Sequence, residues 1–349
     1  MIDKNKPVLV TGGSGYIASH IIQQLLEQGY KINTTVRNKS KMAKVAHLML
    51  LQEQYPKHLR FYEADLLKDG SFETAMTNCE LVIHTASPFK LNVKDAQKEL
   101  VDPALKGTQN VLQQANQTAT VKRVVLTSSV VAIYGDAIDL QSTEGNQFTE
   151  HEWNTTSSLR HQPYAYSKTL AEREAWDIQS KQTQWDLVVI NPGFVLGPSL
   201  SKRTDGESTS FILQLLEGGF KSGAPALYFG AADVRDVAKA HILAGTTPTA
   251  SGRHILVENT YSMLEMSEMI EQSFPNKYKL PTKKLPKFLL FLVGPFIGFS
   301  WKFISRNVEH PMRFDNTYSQ KDLGLSYRPM LQTLKEQAEQ LEADGLIKR

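Results

Sequence analysis

VLVTGGSGYIASH, residues 8–20, joins an apolar β-branched run to glycines at 12, 13 and 15, and then to an amphipathic segment that begins at Tyr16. The run is long enough for a buried strand, and YIASHIIQQLLEQGY carries helical periodicity until Gly29 ends it. A glycine turn between strand and helix permits positive φ and close backbone approach to a ligand, and the helix N-terminus favours a negative group there. Gly12 and Gly15 are therefore candidate phosphate-cradling positions, with Ala18 where the helix packs closely on the strand. The spacing G-x-x-G-x-x-A departs from the G-x-G-x-x-G fingerprint. Its setting, a strand before and a helix after within the first 30 residues, carries the dinucleotide reading.

Outward from this unit the pattern repeats. KINTTVR reads as a second strand, SKMAKVAHLMLLQ as a helix, LRFYEADL as a strand, SFETAMTNC as helical and LVIHTAS as a strand. ALKGTQNVLQQANQ, VKRVVLTSS, the helix after Tyr164 and WDLVVINPG continue the series. Short apolar strands alternating with helices imply right-handed crossovers and a doubly wound, Rossmann-like parallel sheet covered on both faces. Past Asn191 the alternation fails, and HILVEN, residues 254–259, is the candidate for one returning strand. The expected division is a dinucleotide-binding domain over 1–192 with a returning segment near 225–258. The expected substrate-binding region spans 193–224 and 259–349, smaller, mostly helical, and lying over the open edge of the strands.

Composition narrows the function. Basic side chains number 39 against 36 acidic, a net charge of +3, so no strong field favours nucleic acid. A single cysteine, Cys79, excludes an internal disulfide and a thiolate zinc cluster, and suits a reducing, cytoplasmic setting. MIDKNKPVLV lacks the pattern of a signal peptide. The apolar run Phe288–Phe299 is interrupted by Pro295 and two glycines. It falls short of the roughly 18 to 20 residues a spanning helix needs. Buried or ligand-covering helices are the first reading of it, and contact with a membrane surface is the alternative. His47, His58, His151, His161, His241 and His254 show no metal-ligand spacing with nearby acids, and no metal is expected.

Two positions point to chemistry. At the end of the second strand, where a carboxylate would accept the ribose 2′-OH of NAD, TTVR places Arg37, with Lys44 a turn or two further on. A guanidinium there grips a 2′-phosphate, which selects NADP(H). In HQPYAYSKTLAERE, residues 161–174, Tyr164 and Lys168 lie four apart and share a helical face, whereas Tyr166 projects about 200° away from Lys168. A phenol titrates near 10, so it needs an adjacent ammonium to exchange protons readily near neutrality. Ser128 and Ser129 end the strand VVLTSS, and in an extended chain they face opposite ways, so one of them orients a carbonyl. His84 ends a buried strand and reads as structural, Asp233 suits a helix N-cap, and Asp236 follows it as a structural carboxylate.

TGGSGYIA, VVLTSS, YAYSK and NPGFVLGP, in this order and spacing, resemble an extended short-chain dehydrogenase/reductase. TTVRNKSK, EADLLKDGSFETAM, IHTASP, YSKTLAE and DVRDVAKAHI are similar to its dihydroflavonol reductase, cinnamoyl-CoA reductase and methylglyoxal/aldehyde reductase branch, over about residues 7–260. The resemblance implies Ser129, Tyr164 and Lys168 as catalytic positions, with Ser128 a substitute for Ser129. It places Gly12, Gly15, Tyr16 and Ile17 in the phosphate loop and Arg37 and Lys44 at the 2′-phosphate. Asp65 and Leu66 fall at the adenine edge, Thr85, Ala86 and Ser87 along the cofactor, Pro192 beside the nicotinamide and Ser210 at a cofactor phosphate. HQPYAYSK departs from the NWYCYGK-like signature of cinnamoyl-CoA reductases, and the proton-relay asparagine has no evident counterpart near ALKGTQN, Asn110 included.

The implied activity is NADPH-dependent reduction of an aldehyde or ketone, hydrophobic or aromatic, by a monomer or homodimer with a small-molecule partner and no membrane span. Phe148, Trp153, Phe194, Phe211, Tyr228 and the run from Phe288 are candidates to wall its pocket. An NAD-dependent nucleotide-sugar epimerase or dehydratase shares these motifs and is the competing enzyme reading. A non-enzymatic NADP(H) sensor is the third.

Overall fold

The computed structural model describes residues 2–87, 93–202, 204 and 206–348. The first strand, β1 (Pro7–Thr11), leads through the glycine turn into α1 (Tyr16–Glu27), β2 (Lys31–Val36), α2 (Met42–Gln54) and β3 (Leu59–Glu63). The short α3 (Glu73–Met76) precedes β4 (Leu81–His84), and a π-helical turn at Gln97–Val101 opens α4 (Asp102–Gln117). There follow β5 (Arg123–Thr127), α5 (Pro163–Ser180) and β6 (Asp186–Pro192). A small sheet is built from β7 (Phe194–Leu196), β9 (Tyr228–Asp233) and β11 (Asn259–Ser262), while α6 (Glu207–Leu216) and β8 (Ala224–Pro225) lie between the first two. From β9 the chain runs through α7 (Val234–Thr246) into β10 (Gly252–Leu256). The C-terminal part holds α8 (Met263–Ser273), β12 (Lys284–Leu285), α9 (Lys287–Val293), α10 (Trp301–Asn307), α11 (Thr317–Leu323) and α12 (Met330–Ala343).

The main sheet is seven-stranded in the order β10-β6-β5-β4-β1-β2-β3, and every pairing in it is parallel. Both faces are covered, which is why the strands read as continuous apolar runs rather than alternating ones. Val8 and Val10 pack with Ile21, Ile22 and Leu25 of α1 and Val237 and Ala240 of α7. Leu9, on the opposite face, packs with Val111, Leu112 and Ala115 of α4 and Ala175 and Ile178 of α5. The returning strand is β10, which pairs with β6 at the sheet edge, His254 against Ile190.

Strand order reverses between β1 and β4, where Thr11 pairs with His84. The crevice beyond the carboxyl ends of these strands is where such sheets hold ligands. Residues 12–15 and 85–87 therefore flank it.

The C-terminal region does not all lie over that edge. α8 and α12 do pack on the small sheet, with Met266, Ile270, Leu334, Ala338 and Leu341 in one core with Leu196 and Ile212. α11 instead covers β10: the Tyr318 ring stacks on His254 at 4.8 Å, and Asp322 Oδ2 lies 2.7 Å from His254 Nε2. An edge strand has unpaired backbone groups that need cover, and α11 provides it.

The glycine turn also fixes how closely β2 approaches. A Cβ on Gly13 would sit 2.1 Å from Thr34 Oγ1, whose hydroxyl donates to the Val10 carbonyl at 2.9 Å. Gly13→Ala should therefore cost about 1–3 kcal/mol of stability through overpacking and the disturbed Thr34 bond. Urea denaturation checks this, and an unchanged midpoint would show that the turn yields freely.

Candidate active site

A cleft of about 660 Å³ runs across the carboxyl ends of the strands. Its floor is the glycine turn. Gly12 sits at φ +69°, and a Cβ there would meet Ala86 Cα at 3.0 Å, so only glycine fits beside the segment after β4. The glycine N–H groups tie the turn to β2 and to itself: Gly12 donates to Thr35 Oγ1 at 3.2 Å, Gly13 to Thr35 O at 2.9 Å and Gly15 to Gly12 O at 2.8 Å. The sequence predicts that these N–H groups approach the ligand. In the fold they aim the helix, and Tyr16 and Ile17, the first residues of α1, line the cleft with N–H groups that the helix itself does not use. Tyr16 is anchored by its hydroxyl, which donates to Gly197 O at 2.6 Å.

At one end Arg37, Asn38, Lys41 and Lys44 line the cleft, the three cations exposed and with no carboxylate among the residues that close β2. Lys41 escaped the sequence reading. Its signal would have been its position just before the first turn of α2, four residues after Arg37. Along the middle lie Ala64, Leu66, Thr85, Ala86 and Ser87. Thr85 Oγ1 donates to Thr11 O at 2.5 Å, and Ala86 N–H donates to Thr11 Oγ1 at 3.1 Å, which fixes this wall to β1. Asn110 Nδ2 donates to Leu66 O at 3.1 Å and to Lys68 O at 2.7 Å, so it positions the loop after β3.

At the other end Ser128, Ser129, Tyr164, Lys168, Pro192, Gly193, Phe194 and Val195 converge, facing Ser199, Ser201 and residues 206–209. Pro163 starts α5 at a position where its missing N–H costs nothing, so Tyr164 and Lys168 stand in the first two turns, pointing from one face. The two serines are distinguished by their partners. Ser128 is buried, and its hydroxyl donates to Glu172 Oε2 at 2.5 Å. Among the described residues the Ser129 hydroxyl makes two long contacts, 3.3 Å to Pro192 O and 3.4 Å from Val131 N, so it is the more available of the two to the cleft.

Glu172 was missed by sequence reasoning, although Tyr164, Lys168 and Glu172 follow one another at intervals of four on one helical face. Its side chain is fully buried and also accepts from Asn191 Nδ2 at 2.8 Å and Arg253 Nε at 2.5 Å.

Several expected residues lie elsewhere. Ser210 donates to Thr204 O at 2.7 Å and is not among the cleft residues; α6 begins at Glu207, and its first turn brings Ser208 and Thr209 there instead. Asp65 is exposed, its Oδ1 accepts from Leu67 N–H at 2.9 Å, and the neighbours Ala64 and Leu66 line the cleft in its place. Tyr166 is likewise outside it. Of the aromatic candidates, Phe194 lines the cleft, and Phe211 stands behind it edge-on at 5.3 Å. Trp153 is instead clamped between Arg253 at 4.0 Å and Arg173 at 5.1 Å, and Phe148 stacks on Tyr134 in a separate core that includes Tyr228. The run from Phe288 is not in the cleft either; much of it faces outward.

Asp233 caps α7 by accepting from Arg235 N–H at 2.7 Å, and Asp236 is bound by Arg328. His84 Nδ1 lies 2.8 Å from Thr11 Oγ1, a structural contact. Among the described residues no cluster of His, Cys, Asp or Glu is placed to hold a metal ion.

Residues 8–257 match the NAD dependent epimerase/dehydratase family. The chain belongs to that family. It is 37% identical over 338 residues to cinnamoyl-CoA reductase CAD2 of Medicago truncatula, covering 96% of this chain and 95% of that one. It is 34% identical over 291 residues to an anthocyanidin reductase of Vitis vinifera, 79% of this chain and 83% of that one. Among solved structures it is similar to Gre2 of Candida albicans in complex with NADPH, with TM-score 0.79, 30% identity and coverage of 97% and 99%. The extended short-chain dehydrogenase/reductase motifs read from the sequence are those of this family.

In this family member the ionisable groups of the cleft are set mainly by burial. Burial lowers Lys168 to about 8, partly opposed by Glu172 one turn away. Burial also pushes the Tyr164 phenol well above its ordinary value, and the charge of Glu207 adds to this. Desolvation is the larger of these causes, and it holds Tyr164 in the protonated form near neutral pH. His84 is lowered to about 3 by burial and by Lys168, so it stays neutral.

Between about 8 and the ordinary lysine value the folded chain binds fewer protons at Lys168 than the unfolded chain, so this group adds stability as pH rises. Lys168→Met removes the buried charge. The variant should be the more stable form at neutral pH, with the gap closing as pH climbs past about 8. Urea midpoints of both proteins across that range test the sign, and a gap that widens with pH refutes it.

Proposed function

We propose that the chain is an NADPH-dependent carbonyl reductase that converts a hydrophobic or aromatic aldehyde or ketone to an alcohol. The observation that carries the reading is one cleft with a cationic end at Arg37, Lys41 and Lys44 and a proton-donating end at Tyr164, Lys168 and Ser129. The NADPH named with the Gre2 complex and the reductase activities of the relatives support it.

The chain's own residues fit the dinucleotide. Gly12, at positive φ and against Ala86, lets the turn lie flush with the segment after β4, and the start of α1 at Tyr16 and Ile17, just past Gly15, offers N–H groups to its phosphates. Arg37 and Lys44, with Lys41, suit a 2′-phosphate, and of the other lining residues Leu66 would flank the adenine, Thr85, Ala86 and Ser87 the middle, and Pro192 the nicotinamide. NADPH supplies a hydride to the carbonyl carbon when bound. Tyr164 donates its phenolic proton to the carbonyl oxygen, and Ser129 donates a hydrogen bond to the same oxygen. Lys168 stabilises the phenolate that remains and is itself held one turn from Glu172. Donors fixed in advance at developing charge are worth most where water is excluded. Phe194, Val195 and Pro192 give the reacting end apolar walls, which favour an apolar substrate.

A nucleotide-sugar epimerase is the weaker reading, because Arg37 stands where an NAD-specific site needs a carboxylate. The division of labour we infer is dinucleotide binding by 1–192 with 225–258 and substrate binding by 193–224 with 259–349. A cytoplasmic setting accords with the lone thiol, Cys79, which is buried and free. A monomer or homodimer is the expected state.

NADPH oxidation against a panel of aldehydes and ketones tests the activity. Tyr164→Phe should lower kcat about 100-fold or more, the range of a lost general acid, and Ser129→Ala should lower it more than Ser128→Ala does. Near-wild-type turnover by Tyr164→Phe would overturn the mechanism. Arg37→Ala should raise KM for NADPH about tenfold or more, with little change for NADH, since a charge-assisted bond to phosphate is worth roughly 1.5–3 kcal/mol. Equal losses with both cofactors would remove Arg37 from the 2′-phosphate.

A further inference from the structure

The segment left over from the active site is the hairpin of α9 and α10. Phe288, Leu292, Val293, Ile297 and Trp301 are 44–65% exposed, and Phe296 between them is 90% exposed. Six large apolar side chains exposed within 14 residues form a patch of the kind that marks an interaction surface rather than chance exposure.

The patch is held facing outward. Leu290, Ile304 and Val308 bury the opposite side of the hairpin against Ala226 and Leu227. A Cβ on Gly294 would meet Ile304 Cδ1 at 2.6 Å, so the two helices are in close contact there. Trp301 Nε1 donates to Phe291 O at 3.0 Å, and Lys287 Nζ donates to Val308 O at 2.7 Å, which closes the hairpin at both ends. Arg306 and Asn307 of α10 bind the buried Asp136, so the base of the hairpin is locked to the body of the protein.

Charge distinguishes the possible occupants. From residue 272 to 308 there is no Asp or Glu, while Lys277, Lys279, Lys283, Lys284, Lys287, Lys302 and Arg306 are all present. Lys277 pairs with Glu342, and Arg306 with Asp136 and Asp139. Lys283, Lys284 and Lys302 are exposed, with no ion pair among the described residues, and flank the apolar cluster on both sides in the chain. A symmetric dimer through this patch would bring like-charged lysines of two copies together. An anionic lipid surface instead takes the lysines at its headgroups and the aromatic and aliphatic side chains at its acyl boundary, with tryptophan at the level it favours. No helix among the described residues is long and apolar enough to cross a membrane.

We propose that the α9–α10 hairpin docks this protein peripherally on an anionic membrane surface, through Phe288, Leu292, Phe296, Ile297 and Trp301, with Lys283, Lys284 and Lys302 as the electrostatic contacts. The surface is separate from the cleft, so docking does not depend on the catalytic reading.

Flotation of the full chain with phosphatidylcholine vesicles, with and without about a third phosphatidylserine, tests it. The chain should bind the anionic vesicles at least about fivefold more than the neutral ones, since each lysine near such a surface is worth roughly that factor, and binding should fall when salt rises from about 0.1 M to about 0.5 M. Phe296→Glu with Ile297→Glu, both at exposed positions, should reduce binding about tenfold or more at an unchanged Tm. Three outcomes overturn the proposal: no flotation of the wild-type chain, equal binding to both vesicle types, or full binding by the variant. Light scattering adds a fourth, a wild-type dimer that the same variant splits into monomers, which would make a second copy the occupant.

Discussion

Glu172 is a carboxylate with no exposed surface, and a buried charge of this kind persists only if its lone pairs are met. Ser128 from the end of β5, Asn191 from β6 and Arg253 from β10 meet them, so one side chain of α5 ties three adjacent strands to the helix that carries Tyr164 and Lys168. Arg253 is in turn held by the carbonyls of Glu150 and Glu152, at 2.9 Å and 2.6 Å, and covered by the Trp153 ring. Loss of either partner would strand a charge. The same network engages the Ser128 hydroxyl at the cleft wall and thereby leaves Ser129 as the hydroxyl with the looser bonds there.

A second buried carboxylate fixes the other end of the helix. Burial alone would raise the Asp136 carboxyl, but bonds from Asn307, Arg306, His161 and Gln162 outweigh it and hold it below its ordinary value. His161 and Gln162 immediately precede α5, and Gln162 takes a left-handed φ of +55° there. The turn that presents Tyr164 is thus pinned to α10, more than 140 residues later in the chain. The hairpin with the exposed apolar patch and the helix that carries Tyr164 share this anchor.

Between these anchors the cleft is electrically graded. Its cationic end is exposed, where charges are cheaply solvated and attract a polyanion, and the end that holds Tyr164 and Lys168 is buried, where desolvation lowers Lys168 and raises Tyr164. The opposing shifts favour a neutral phenol beside a weakly held ammonium proton. This is a consequence of depth in the fold, not of the Tyr-x-x-x-Lys spacing.

The sequence by itself determined what depends on neighbours along the chain. Apolar runs alternating with amphipathic segments specified the doubly wound sheet, the glycines after β1 specified the turn, and the four-residue spacing of Tyr164 and Lys168 placed both on one face of a helix. Such patterns report local backbone geometry and one-sided burial, which periodicity encodes directly. The choice between Ser128 and Ser129 was not available from it, because it rests on Glu172, 44 residues away. The same holds for Lys41 lining the cleft with Arg37, for α11 on the β10 edge, for Trp153 clamped between arginines rather than walling a pocket, and for an apolar run that faces outward. Each of these is decided by which distant surfaces meet, and only the packed tertiary structure sets those contacts.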